Sequence, residues 1–104
     1  MQMLTIQEQG KKDTILEAIS DKYSRIILET TMNKPKTALE ISIEHKIPIS
    51  TVYRRLQTLH DAKLLAISGS ISDEGKRYFM YKCKIRQITT AFNGNAVDVF
   101  LVPK

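Results

Sequence analysis

The sequence lacks the features that mark several classes of protein. It has one cysteine, Cys83, in 104 residues, which excludes an internal disulfide and a zinc site made of several cysteines. No apolar run is long enough to span a bilayer. The first residues, MQMLTIQEQGKK, lack the continuous apolar core of a signal peptide. Because a lone cysteine also suits a reducing compartment, we expect a cytoplasmic protein without a membrane segment.

Motifs for catalysis are missing as well. The sequence has no nucleophile–base pair, phosphate-binding loop or carboxylate pair that would indicate an active site. His45 and His60 lie near no acidic cluster and are too few for a metal site of three or four ligands. Tyr78, Phe79 and Tyr81 are of the type that stacks on single-stranded bases, but their strand positions favour packing. We therefore predict no enzyme, no metal, no cofactor and no small-molecule ligand.

The chain has the composition of a small globular domain, and its charge is unevenly distributed along the sequence. Its 104 residues are 42% apolar and 26% charged, which fits one domain. The formal net charge is +5. Residues 1–45 sum to −1, residues 46–86 to +6 and residues 87–104 to zero. A positive charge confined to one segment favours an anionic partner of that segment.

Apolar periodicity predicts three helices in the first part of the chain. The first runs over about residues 13–32, with an N-cap predicted at Ser20 inside it. Thr37 and Glu40 have the spacing of a capping box, which opens a short second helix. The third helix is predicted over residues 49–62, directly after a turn that contains a proline.

Two β-hairpins are predicted after the helices, because strand-forming residues flank two polar turns. Three helices followed by hairpins indicate an α+β fold, a winged helix-turn-helix with an additional C-terminal β-hairpin. We divide the chain into an N-terminal segment, 1–12, a winged helix-turn-helix domain, 13–84, and the C-terminal hairpin, 85–104. The wing itself is predicted over about residues 66–83.

The second hairpin has one apolar face that needs a cover. If Asn93 and Gly94 form a two-residue turn, Ile88 pairs with Val99. Such a face exceeds what a small monomer leaves exposed, so we assign it to a contact between two copies of the chain. The rival interpretation is that the face packs on the first helix of its own chain. The residues assigned to the dimer contact are Ile88, Phe92, Val97, Val99 and Leu101.

The third helix has one apolar and one polar face. Val52, Leu56 and Leu59 form the stripe predicted to be buried. The outward face holds hydroxyl, amide and guanidinium groups, which can read base edges in a major groove, although a plain solvated surface has the same polarity. The candidate DNA contacts on this helix and the turn before it are Lys46, Ser50, Thr51, Tyr53, Arg54, Arg55, Gln57 and Thr58. Lys76 and Arg77 at the wing tip are candidates for phosphate or minor-groove contact, unless they protect an edge strand.

Three segments together resemble a known family. They are SDKYSR, IPISTVYRRLQTL and DEGKR followed by an aromatic strand, and the similarity covers roughly residues 15–83. The chain resembles the ArsR-like winged-helix transcription regulators of archaea. The resemblance implies a DNA-binding fold that is usually dimeric, with base contacts from Ser50, Thr51 and Arg54 and wing contacts near Lys76 and Arg77.

The chain departs from this family in two places. Lys63 stands where such helices usually end in glycine, so it must adopt a left-handed conformation or end the helix differently. The cysteine motif of the metal-sensing branch is absent, so metal sensing is not implied. We expect a sequence-specific regulator that binds double-stranded DNA. The alternatives are a winged-helix adaptor for protein partners and a non-specific architectural DNA binder.

Overall fold

The computed structural model describes residues 2–104, which form four helices and five strands. β2 pairs with β3, and β1, β5 and β4 form a second antiparallel sheet in that order. This is the predicted α+β winged helix with an additional C-terminal hairpin. The elements are β1 (Leu4–Ile6), α1 (Gln9–Ser20), α2 (Lys22–Thr30), α3 (Ala38–His45), α4 (Ile49–Asp61), β2 (Leu65–Ile71), β3 (Arg77–Cys83), β4 (Ile85–Phe92) and β5 (Val97–Pro103).

The first predicted helix is two helices, and the predicted cap at Ser20 is wrong by one residue. Asp21 has an extended backbone, and its carboxylate accepts a hydrogen bond of 2.8 Å from the Ser24 amide. The Ser20 hydroxyl instead donates to the Glu17 carbonyl at the end of α1. A carboxylate at the helix start also interacts well with the helix dipole. The chain therefore turns at Asp21, and α2 begins there.

The capping box that opens α3 is confirmed. The Thr37 hydroxyl accepts from the Glu40 amide at 3.1 Å, and the Glu40 carboxylate accepts from the Thr37 amide at 3.0 Å. The two bonds satisfy backbone donors that a helix start otherwise leaves free. They fix the first residue of the helix-turn-helix unit.

Lys63 adopts the left-handed conformation, with φ of 64°. The Leu64 amide donates to the Leu59 carbonyl at 3.0 Å, and the Lys63 amide donates to the His60 carbonyl at 2.9 Å. These two bonds form the Schellman pattern that commonly ends a helix. Because Leu64 is fully buried, its packing offsets the cost of a lysine at a position that favours glycine.

Within the predicted N-terminal segment 1–12, residues 2–12 are described, and most of them belong to β1 or α1. Leu4 pairs with Leu101 and Ile6 pairs with Val99, so β1 adds a third strand to the second sheet. The first turn of α1 begins at Gln9. The segment therefore covers part of the sheet edge that β5 would otherwise present to solvent.

The register predicted for the second hairpin is wrong by two residues. Ile88 pairs with Leu101 and not with Val99. The loop contains four residues, 93–96, because the Asn93 side chain accepts hydrogen bonds from the amides of Asn95 and Ala96 at 3.1 and 3.0 Å. A shift of two residues keeps every side chain on its predicted face. The face was therefore predicted correctly and its pairing was not.

The predicted dimer contact on this hairpin is also corrected. Val99 and Leu101 are only 0% and 7% exposed, and they belong to one buried cluster with Ile15 and Ala18 of α1. Ile88 and Val97 pack against the same cluster. Of the five assigned residues, Phe92 alone is strongly exposed, at 78%. The buried part of the face thus belongs to the core of its own chain, because α1 packs on it, as the rival interpretation expected.

Candidate nucleic-acid interface

The turn between α3 and α4 sets the position of the candidate recognition helix. Lys46 is left-handed, with φ of 55°, and the Ile47 amide donates to the Ser42 carbonyl at 3.1 Å. The Ser42 hydroxyl donates back to the Ile47 carbonyl at 2.6 Å. Ile47 is buried, and α4 starts directly after Pro48. These contacts anchor the turn in the core and leave Lys46 exposed beside the start of α4.

The faces of α4 are those that its sequence predicts. Val52, Leu56 and Leu59 are at most 1% exposed. The opposite side, which we call the reading face, consists of Ser50, Thr51, Arg54, Gln57 and Thr58. Four of them are exposed, and Thr51 is half-buried.

Two side chains of the reading face are held within the helix. The Thr58 hydroxyl donates to the Arg54 carbonyl at 3.1 Å, and the Gln57 amide donates to the Asp61 carboxylate at 2.9 Å. Within residues 2–104, the Arg54 guanidinium has neither a hydrogen-bond partner nor an ion-pair partner. Arg54 therefore combines exposure with unused donors, as a base-reading arginine requires.

Arg55 lies on another side of α4 and binds Asp21. Its Nε donates to Oδ2 at 2.8 Å and its Nη2 to Oδ1 at 3.2 Å, which is a bidentate pair. The side chains are 27% and 29% exposed. The hydrogen bond from Arg55 lowers the pKa of Asp21 to about 2. The structure thus separates Arg55 from the reading face, although the sequence had grouped it with the candidate contacts.

Asp21 consequently joins two helices with one carboxylate. It caps α2 through the Ser24 amide and holds α4 through Arg55. The sequence revealed the cap only approximately and did not reveal the pair, because the two partners are 34 residues apart. This contact, together with the buried apolar stripe of α4, holds the helix in the orientation that directs the reading face outward.

A second ion pair lies beside the helix-turn-helix unit. Lys36 Nζ lies 2.7 Å from a Glu44 carboxylate oxygen and donates to the Thr30 hydroxyl at 2.6 Å. The hydrogen bond from Lys36 lowers the pKa of Glu44. Glu44 is an acidic residue close to the turn, and its charge is balanced locally. It therefore subtracts less from the positive potential near α4 than an unpaired carboxylate would.

The wing is anchored at its base and free at its tip. Leu65 pairs with Cys83, and both are buried. At the tip the Ser72 hydroxyl accepts from the Lys76 amide at 3.1 Å, while Gly75 has φ of 82°. This turn presents Lys76 and Arg77 to solvent, since both are exposed.

A short backbone bridge ties the wing to the segment before α3. The Lys36 amide donates to the Tyr81 carbonyl at 3.0 Å, and the Tyr81 amide donates to the Lys36 carbonyl at 2.8 Å. The sequence did not indicate this bridge, because a single extended residue between helices has no strand periodicity. The bridge fixes the wing relative to α3 and therefore relative to α4.

The wing, α3 and α4 enclose a groove of about 340 Å³. Tyr53 comes from α4, and Leu39 from the start of α3. Tyr81 is partly buried, and burial raises the pKa of its hydroxyl. We call this the aromatic groove, and it is lined by Thr37, Ala38, Leu39, Tyr53, Arg77, Tyr78, Phe79 and Tyr81.

The groove is the part of the site that sequence reasoning missed. Tyr53 and Arg77 had been assigned to DNA separately, and the aromatic residues of β3 had been assigned to packing. The signal in the sequence was three aromatic residues within four positions of one strand. Their convergence with a helix that ends sixteen residues before that strand is a tertiary property.

Two further observations concern residues 2–104 alone. No helix among them is long and apolar enough to cross a membrane. They also contain no group of three or more histidine, cysteine, aspartate or glutamate side chains placed to hold a metal ion.

Comparison with known proteins relates the chain to a solved structure by fold. No protein-family model matches the sequence, and no curated protein matches it. A solved structure described as a possible transcriptional regulator from Methanosarcina mazei Go1 superimposes with a TM-score of 0.55. The two sequences are 20% identical, and the match covers 77% of this chain and 73% of the other. The likeness shows a shared fold.

Proposed function

We propose that the chain is a transcription regulator that binds double-stranded DNA in a sequence-specific manner. In this proposal α4 enters the major groove and the wing contacts the backbone or the minor groove. The observation that supports it most is the reading face, where an unpaired Arg54 projects from a helix held by its buried apolar stripe and by the Arg55–Asp21 pair. The shared fold with a possible transcriptional regulator adds support.

Each candidate residue has a defined role in this proposal. Ser50, Thr51 and Arg54 in the first half of α4 read base edges, and Gln57 and Thr58 extend the contact. Tyr53 contacts the backbone beside them. Arg55 does not touch DNA and acts as a positioning residue for α4. The phosphate contacts come from Lys46, Lys76 and Arg77.

The resemblance to archaeal ArsR-like regulators and the homodimer belong to the proposal as well. A dimer would present two α4 helices about 34 Å apart to a pseudo-palindromic site. Because Val99 and Leu101 are buried inside one chain, the dimer needs a different surface from the one that the sequence indicated. Light scattering during gel filtration tests it, and a monomeric mass with and without DNA would exclude it.

A second candidate function is a protein-interaction adaptor, and one observation favours it. Leu39 and Ile43 lie one turn apart on α3 and are 60% and 68% exposed. Apolar side chains exposed in this way are typical of a protein contact. A non-specific architectural DNA binder is the third alternative, and it would retain the basic residues without using the base contacts.

Selection from a randomised pool of duplex DNA distinguishes these functions. A sequence-specific regulator enriches a defined motif, and its log–log salt slope is about −0.9 per phosphate contact. Binding that depends on salt but enriches no motif would indicate the architectural function. Absence of binding at about 50 mM salt would contradict the proposal and favour the adaptor.

A further inference from the structure

The aromatic groove contains more ring surface than the core of this chain requires. It contains four of the seven phenylalanine and tyrosine side chains of the sequence. Tyr53 is 55% exposed, Phe79 53% and Tyr78 37%. Aromatic side chains usually stabilise a protein by burial. Here three of the four are exposed to solvent, while Tyr81 packs partly against the core, so the exposed rings are available to a ligand.

The charged side chain that lines the groove is positive. Within residues 2–104, the Arg77 guanidinium has neither a hydrogen-bond partner nor an ion-pair partner, and no acidic residue lines the groove. The hydroxyl of Tyr81, like any tyrosine hydroxyl near neutral pH, is uncharged and can donate a hydrogen bond. Planar ring faces beside one cation and a neutral donor match a ligand that is planar at one end and anionic at the other.

We propose that the aromatic groove binds an unpaired nucleotide. Its base would stack on the exposed rings of Tyr53 and Phe79, and its phosphate would pair with Arg77. Aromatic rings stack on every base through its π-face, and arginine binds phosphate through its planar fork of donors. A volume of about 340 Å³ lies at the lower end of small-ligand sites and admits one nucleotide.

A duplex does not satisfy this groove, because paired bases keep their faces stacked inside the helix. The nucleotide therefore comes from one of two sources. It is either a free mononucleotide or an unpaired nucleotide of a single strand. Both present the same base face and the same phosphate to the groove.

If the proposed function holds, binding in the groove also affects the binding of duplex DNA. Tyr53 and Arg77 belong both to the groove and to the proposed duplex-binding surface. A nucleotide that occupies them removes a backbone contact and a phosphate contact from the duplex. Occupancy of the groove and duplex binding are therefore expected to compete.

The test is a nuclear magnetic resonance titration of the isotopically labelled full chain, which has a mass of 11.9 kDa. AMP, adenosine and a five-nucleotide deoxyadenosine strand are added separately, and the backbone amide shifts are followed. We expect saturable shifts at Tyr53 and at residues 77–81, and none at residues 92–97. AMP should bind more tightly than adenosine, because adenosine lacks the phosphate for Arg77.

Two variants and two matched controls locate the site. Phe79→Ala should weaken AMP binding by about 5- to 100-fold, which is the range for the loss of one stacking ring. Arg77→Gln should remove the preference for AMP over adenosine. Phe92→Ala and Arg86→Gln change the same residue types on the second hairpin and should leave both affinities unchanged.

The outcomes are distinct. Shifts in the groove with AMP support a free nucleotide, and shifts with the strand alone support an unpaired nucleotide of a nucleic acid. The proposal is overturned if neither AMP nor the deoxyadenosine strand gives saturable shifts in the groove at about 10 mM, which is well above a 1 mM dissociation constant. It is also overturned if Phe79→Ala and Arg77→Gln bind AMP and adenosine with the same affinities as the control variants. Duplex selection is measured separately, so either proposal can fail while the other stands.

Discussion

The two hairpins of this chain look alike in sequence and are used differently. Each has strands of seven or eight residues with one apolar face. In the second hairpin, α1 covers that face, and Val99 is fully buried. In the wing only the base is buried, and Ile67, Ile71 and Phe79 are 42%, 71% and 53% exposed. An apolar strand face therefore does not by itself indicate an interface between molecules.

The difference follows from what the chain places beside each hairpin. The second sheet lies next to α1, whose Ile15 and Ala18 pack against β5. The wing extends beyond the helices after its backbone contacts at Lys36 and Thr31, which hold Tyr81 and Cys83. We conclude that the second hairpin stabilises the domain, while the wing is available for binding.

Truncation of one apolar side chain on each hairpin gives the largest expected contrast. Leu101→Ala should lower the free energy of unfolding by about 2–5 kcal/mol, because it leaves a cavity in the core. Ile71→Ala on the wing should change it by about 0.5 kcal/mol or less, because that side chain already faces solvent. Urea denaturation of both variants measures the two values. Equal losses would contradict the division of roles between the hairpins.

Removal of the Asp21 charge is expected to have a smaller effect. Asp21→Asn keeps an N-cap residue for α2 but loses the ion pair with Arg55. Because the pair is bidentate but more than a quarter exposed, we expect a loss of about 1 kcal/mol at pH 7. Asp13→Asn, an exposed change on α1, is the matched control for urea denaturation. A stability loss as small as that of the control would show that the Arg55–Asp21 pair does not help to hold α4.

The same pair predicts a pH dependence with a defined sign. Arg55 holds the pKa of Asp21 at about 2 in the folded chain, against an ordinary value of 3.8. A lowered pKa stabilises the fold above the unfolded value and ceases to do so as pH falls through the folded one. The stability difference between the native chain and Asp21→Asn should therefore be constant above about pH 5 and shrink between about pH 4 and pH 2. A difference that grows on acidification would contradict the assigned partner.

The smallest expected effect concerns the wing tip. Lys76→Ala should weaken duplex binding modestly and equally for all sequences, and should reduce the log–log salt slope by about 0.9. Lys11→Ala, an exposed lysine on α1, is the control and should leave the slope unchanged. Binding measured at several salt concentrations compares them. An unchanged slope in Lys76→Ala would exclude phosphate contact at the tip.

Local patterns predicted the elements of this fold well and their assembly less well. The capping box at Thr37 and the buried face of α4 follow from spacing alone, and the structure has both. The hairpin register was wrong because the Asn93 side chain makes a four-residue loop. Asn-Gly in the sequence indicates a turn but does not fix its length.

The site was predictable in its residue types and not in its partners. The exposed polar positions of α4 follow from helical periodicity. Arg55 pairs with Asp21, and Tyr53 lines one groove with residues of β3. Both contacts join segments that are distant in the sequence, so local patterns do not reveal them. The burial of Val99 and Leu101 was missed for the same reason, because the sequence does not show that α1 packs on them.

Base recognition by the reading face of α4 can be tested by comparing two arginine variants. Arg54→Ala and Arg86→Ala remove one exposed arginine each, from α4 and from the second hairpin. On the duplex motif selected by the native chain, Arg54→Ala should weaken binding by about 1–3 kcal/mol and relax the preference at one base pair. Arg86→Ala should keep both the affinity and the preference. Equal affinities and unchanged base preference in the two variants would contradict base recognition by this face.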